Sequence, residues 1–161
     1  MAQVIRHKLL PKQADFVESQ ARELLYSGAY AAGKTRALCY RLVARAQVEG
    51  SREGLCRKHL VTLKASTLRT LLESDGQAPP VLPPGTYDHN KSEKVIRIHG
   101  GGEIVYFGLD DPQKIGSYNL SGVAVDEAVE LDLQDWHMLI GRVRLDVGMH
   151  NSVYAVCNPG A

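Results

Sequence analysis

The sequence predicts an α/β domain with a mostly parallel central sheet, helices on its flanks and one added β-hairpin. Three observations predict it. Short apolar runs alternate with amphipathic stretches, the pattern of strands joined by crossover helices. A glycine-bounded turn, GAYAAGKT at residues 28–35, separates an apolar run from a helical one. An acid pair, Asp126 and Glu127, closes another apolar run, at the strand edge where open α/β sheets bind ligands.

With 161 residues the chain is expected to form one domain, 1–161, long enough to bury a core without disulfide or metal staples. A composition of 44% hydrophobic and 23% charged residues excludes a disordered chain. A net charge of +1, from 19 Lys+Arg against 18 Asp+Glu, excludes a binder that works by bulk positive charge. No apolar run approaches the ~18 residues that span a bilayer, and the first residues lack a secretory pattern. No membrane role is therefore expected. Cys39, Cys56 and Cys157 are odd in number and share no CxxC spacing, so they read as reduced, buried thiols of an intracellular protein. The histidines are scattered, and no zinc site is expected.

Taken in order, residues 11–23 read as a helix with Phe16 and Val17 on one side. The run 24–26 (LLY) has the size of a buried strand. Residues 34–48 are helical, with Leu38/Leu42 and Cys39/Val43 at i,i+4, and Gly50 ends the segment. A second strand is expected over 54–63 and a helix over 66–72. The four prolines of 77–87 make a loop, since proline donates to neither helix nor ladder. Residues 94–108 alternate on both sides of Gly100-Gly101-Gly102 and form the clearest hairpin. A third core strand (122–126), a helix (133–140) and a fourth strand (152–157) complete the pattern.

The strongest chemical signal is the GxxxxGK[ST] pattern of residues 28–35. Its glycines let the backbone of Gly28, Ala29, Tyr30, Ala31, Ala32 and Gly33 wrap phosphate oxygens. The next helix aims its positive end at the same anion. Lys34 is expected to reach the β- and γ-phosphates and Thr35 to give a hydroxyl to Mg²⁺, with Arg36 counted among the nucleotide contacts. Asp126 then holds Mg²⁺, and Glu127 polarises the attacking water. The absence of DxxG and NKxD patterns points away from GTP and towards ATP.

Four residues carry weaker signals. The Gln13 amide can both donate and accept, as an adenine edge requires, although a surface helix position explains it too. Asn158 ends the last strand near the expected γ-phosphate, or simply makes a turn. Arg142 and Arg144 can supply a cation to a transition state, or a salt-bridged surface stripe. Arg57, Lys58 and Lys64 cluster about the second strand and read better as a solvated patch than as a DNA contact.

These residues resemble the ATPase domain of the large terminase subunit, the DNA-packaging motor of tailed bacteriophages. The resemblance is carried by PKQADFVES, LLYSGAYAAGKTRAL, the GLDDPQK run at 108–114, VAVDEA and YAVCNPG, which together span most of the chain. It implies a P-loop NTPase fold of the additional-strand, RecA-like type. It implies Gln13 as the adenine contact, Lys34 and Thr35 as the phosphate and Mg²⁺ contacts, Asp126 as the metal acid, Glu127 as the catalytic acid and Asn158 in a coupling motif. The phosphate loop lacks the arginine some terminases carry, and Gly116 stands where others place a trans-acting arginine, so Arg142 is the candidate finger.

The resemblance also implies ATP and Mg²⁺ as cofactors and sequence-independent double-stranded DNA as substrate. A portal protein and a small terminase subunit are the implied partners, with a homo-oligomeric ring acting in the host cytoplasm. A nuclease domain follows the motor in this family; the present sequence is expected to hold the motor without its last strands and no nuclease site. Two other readings share the motifs: an assembly module that binds ATP without turning it over, and a helicase- or recombinase-type ATPase.

Overall fold

The computed structural model describes residues 6–29 and 33–159. Its centre is a seven-stranded sheet in the order β1-β7-β6-β2-β5-β4-β3. The strands are β1 (Glu23–Ser27), β2 (Arg52–Arg57), β3 (Tyr87–Asn90), β4 (Val95–Ile98), β5 (Glu103–Gly108), β6 (Gly122–Val125) and β7 (Ser152–Cys157). The five strands from β1 to β5 in that order pair in parallel. The hairpin strand β4 joins β5 antiparallel, and β3 joins β4 in the same way. Helices α1 (Pro11–Glu18), α2 (Lys34–Ala46), α3 (Leu60–Thr62), α4 (Leu68–Leu72), α5 (Pro112–Ile115) and α6 (Leu133–Arg142) make the connections.

Alternation along the strands divides the core between two faces. Leu55, Ile104, Tyr106, Ala124, Tyr154 and Val156 meet Phe16, Leu38, Leu42, Leu63 and Leu71 from α1, α2 and the α3–α4 region. Their neighbours Cys56, Val105, Phe107, Val123, Val125, Val153 and Ala155 meet Ile115, Leu120 and Leu139 on the other side. Such two-sided burial is why these strands read as near-continuous apolar runs. Among the described residues no helix is long and apolar enough to cross a membrane.

The structure corrects four sequence expectations. The run 24–26 is not a buried strand: among the described residues β1 is bonded only to β7, its residues alternate in exposure, and Leu25 is 59% exposed. Helix α1 ends at Glu18 rather than residue 23, because Arg41 takes the carbonyls of Phe16, Val17 and Ser19 and the chain turns into β1. Strand β2 ends at Arg57, and Leu60–Thr62 opens a helix that continues as a π-turn, Leu63–Thr67, into α4. Residues 60–63 are apolar enough for a strand, and tertiary packing decided otherwise. The proline-rich loop also leads into β3, which lacks the apolar alternation that reveals β4 and β5.

Candidate nucleotide site

Parallel strands place the ends of β1, β6 and β7 at one edge, and the site is built there. Gly33 caps α2 in a left-handed conformation, φ 66°, which glycine adopts without strain. A side chain at this position would also strike the Gln13 amide, 2.7 Å from an added Cβ. Helix α2 therefore starts at Lys34. Tyr30, Ala31 and Ala32 lie outside the described residues, and the expected backbone cradle lies outside them in part; Gly28, Ala29 and Gly33 flank it.

Lys34 is only 7% exposed, and its ammonium donates to the carbonyls of Gly28 at 2.9 Å and Ala29 at 2.6 Å. A nearly buried cation held by neutral carbonyls is poised for an anion. The Thr35 hydroxyl lies 3.3 Å from both carboxylate oxygens of Asp126. Asp126, 3% exposed, accepts two further hydrogen bonds: Oδ1 from the Glu127 N–H at 2.9 Å, and Oδ2 from the Thr67 hydroxyl at 2.5 Å. Glu127 follows with φ 49°, an uncommon conformation for a residue with a side chain and one that clusters at functional sites.

Lys34, Thr35, Arg36, Asp126, Glu127 and Asn158 all line one cavity of about 680 Å³. That size suits a nucleotide. Thr70, Asp75 and Gln77 form part of the same wall and went unrecognised in the sequence. The loop bearing Asp75 and Gln77 is tied down by Arg36, whose guanidinium donates to the Pro79 carbonyl at 2.6 Å and the Tyr40 hydroxyl at 2.7 Å. Nothing in the sequence of that loop announces its place. Thr67 did leave a signal, a polar residue in the inward stripe formed with Leu63 and Leu71.

Gln13 is not a surface residue; it is 6% exposed and bonds the residue that caps α2. Its amide donates to the Gly33 carbonyl at 3.1 Å and accepts from the Leu10 N–H at 3.0 Å. Arg142 is the candidate that the fold carries away. A crossover helix runs back against its strands, so the end of α6 returns to the opposite edge of the sheet. There Arg142 donates to the Gly116 carbonyl at 2.6 Å, and Arg144 bonds Leu120. Arg142 therefore does not line this cavity; among the described residues the arginine that does is Arg36. Of the three basic residues near β2, Arg57 is paired with Glu130 and Lys58 with Asp135.

The donor set also fits a nucleotide-bound Mg²⁺. Such an ion takes few protein ligands and keeps phosphate oxygens and water, and here one hydroxyl and one carboxylate converge. Among the described residues no cluster of three or more His, Cys, Asp or Glu side chains forms a dedicated metal cage.

A parallel sheet with a phosphate-binding turn after β1 and an acid pair after β6 is the RecA-like P-loop class of fold. A family model of the phage terminase large subunit matches residues 20–161, and the chain belongs to that family. The large terminase of a thermophilic bacteriophage superimposes with a TM-score of 0.73 at 17% identity, over 95% of this chain and 40% of that one. That terminase is also known in complex with ADP and with ATP-gamma-S. The large terminase ATPase domain of Thermus phage P74-26 gives 0.63 at 17% identity, over 96% of this chain and 67% of that one. The gp11 DNA packaging motor of Phi-28 gives 0.51 at 14% identity, over 94% of this chain and 50% of that one. No curated protein sequence matches the chain. The chain spans about 40% of the length of the thermophilic phage terminase.

Proposed function

We propose that this chain is an ATP-hydrolysing motor domain that drives double-stranded DNA into a procapsid. The observation that carries the reading is the convergence of Lys34, Thr35, Asp126 and Glu127 on one cavity from elements far apart in sequence. Lys34 binds the β- and γ-phosphates, and its two carbonyl partners hold it extended along the turn. Thr35 and Asp126 would hold Mg²⁺, which would supply neutralisation of the charge on the phosphate oxygens. Glu127, at the rim of the cavity, orients the attacking water and accepts its proton. Asn158, at the end of β7, contacts the γ-phosphate side and reports its loss to the sheet.

Gln13 acts on the nucleotide by supporting Gly33 from behind. The finger comes from a neighbouring subunit in a homo-oligomeric ring, and Arg142, on the far edge of the sheet, is available to that neighbour. DNA is held through its phosphates without regard to sequence, so binding weakens steeply with salt. A portal protein and a small terminase subunit complete the assembly in the host cytoplasm.

The test is Mg²⁺-dependent ATP hydrolysis over a wide protein concentration range, with Glu127→Gln beside the wild type. Specific activity that rises with concentration and disappears in the variant supports a motor completed by its neighbour. Tight ATP binding without turnover in either protein would replace this reading with a nucleotide-binding assembly module.

A further inference from the structure

Thr67 is fully buried, and no sequence motif accounts for it. It lies midway along an inward stripe, Leu63–Thr67–Leu71, in which all three residues are inaccessible and the other two are apolar. A helical threonine or serine usually returns its hydroxyl to the carbonyl four residues back. Its neighbours do so: Ser66 bonds the Thr62 carbonyl at 2.8 Å and Thr70 the Ser66 carbonyl at 3.4 Å. Thr67 instead donates to Asp126 Oδ2 at 2.5 Å, across 59 residues of sequence. A hydroxyl given to a buried carboxylate is a strong, short hydrogen bond.

The backbone at this point is also unusual. Leu63–Thr67 is a π-turn, closed by a bond from the Leu68 N–H to the Leu63 carbonyl five residues back. Single π-turns inside helices are rare and recur at functional sites. The inserted residue changes the rotation of everything beyond it, and Thr67 is where the widened turn meets the end of β6.

We propose that Thr67 is a positioning residue of the nucleotide site, whose hydroxyl fixes the Asp126 carboxylate in the orientation that serves Mg²⁺. This inference rests on the nucleotide reading given above. The geometry divides the work cleanly. The Glu127 N–H anchors Oδ1, Thr67 anchors Oδ2, and Thr35 stands equidistant from both oxygens on the cavity side. Two anchors stop the carboxylate from rotating, so its open face is presented beside Thr35. Without Thr67, Oδ2 keeps only the long contact to Thr35 and the carboxylate is anchored at Oδ1 alone. Partners that orient a metal-binding carboxylate are typically worth 10–100-fold in metal affinity.

The experiment compares Thr67→Val, which preserves shape and removes the hydroxyl, with Thr67→Ser, which keeps it. Binding of a fluorescent ATP-gamma-S analogue is measured in EDTA and then during Mg²⁺ titration. Thr67→Val should bind metal-free nucleotide like the wild type while its Mg²⁺ midpoint rises by about 10–100-fold, and Thr67→Ser should restore the midpoint. An unchanged midpoint in Thr67→Val, or a serine variant as impaired as the valine one, overturns the proposal in favour of packing. Thr67→Ala serves the same comparison if the valine variant does not fold. A wild type that binds no nucleotide overturns the site reading and this proposal together; one that responds normally to Mg²⁺ beside an unaltered Thr67→Val overturns Thr67 alone.

Discussion

The Gln13 carboxamide donates to the Gly33 carbonyl at 3.1 Å, tying the first turn of α1 to the last residue of the phosphate-binding turn. Because the other end of the amide accepts from the Leu10 N–H, the side chain is fixed on both sides. Gln13→Ala removes the bond to the Gly33 carbonyl, which keeps only the Ala37 N–H, and leaves the Leu10 N–H without its partner, a loss of about 1 kcal/mol at the loop. ATP and GTP binding should weaken alike, by roughly fivefold at that energy, in parallel titrations. A drop confined to ATP would instead assign Gln13 to the adenine edge.

Lys34 makes an opposite pair of demands on binding and stability. Its buried ammonium faces two carbonyls, and replacing a poorly compensated buried charge by an apolar chain of similar length is often neutral or stabilising. Lys34→Met should abolish measurable nucleotide binding while leaving the thermal midpoint of the nucleotide-free protein unchanged or higher. A large fall in that midpoint would show that the lysine is mainly structural.

Arg41 holds α1 to the sheet. Its guanidinium, 1% exposed, donates to the carbonyls of Phe16, Val17 and Ser19 and to the Ser152 hydroxyl, and stands 4.8 Å from the Tyr154 ring centroid. Lysine keeps the charge but cannot reproduce a planar fork with several donors. Arg41→Lys should destabilise the fold by about 3 kcal/mol, read from chemical denaturation, because buried acceptors are left unpaired. Gln13 sits on the helix that Arg41 anchors, so nucleotide affinity should fall as well.

Acidification should destabilise the protein before its carboxylates titrate. Burial lowers the proton affinity of His7, His89 and His150, with Arg36, Lys91 and the pair Arg45 and Arg41 adding repulsion in turn. Each imidazole binds its proton less readily folded than unfolded, so the unfolded chain takes up more protons below the free-histidine value of about 6.5. Stability is therefore full above that value and is lost as the pH falls through and below it. Thermal midpoints measured from about pH 7.5 to about 5.0 should decline, and replacing His89 by Gln should flatten the slope. A midpoint that holds steady over this range would contradict the assignment.

Much of the site was legible because its chemistry is local. A phosphate-binding turn needs glycines, a lysine and a hydroxyl within about eight residues, and no distant part of the chain can supply them. Asp126 was legible for a related reason: an acid directly after the buried run Gly122–Val125 has few places to be except a strand end. The hairpin declared itself through alternation about its glycines. Asp75 and Gln77 carry no such spacing, and Thr67 shows only as a polar residue at i,i+4 from Leu63 and Leu71, which does not name its partner. Their roles depend on a helix and a loop being folded over the end of β6, a long-range event that local pattern does not encode.

Periodicity and residue types at short separation were enough for the α/β class, the phosphate-binding turn and the acid pair. They were not enough to say that β1 lies at the edge of the sheet, that α3–α4 widens into a π-turn, or that Arg142 ends on the far side. These three depend on contacts between distant segments. A strand's exposure follows from how many neighbours it pairs with, and a side chain's destination follows from the direction in which its helix crosses the sheet.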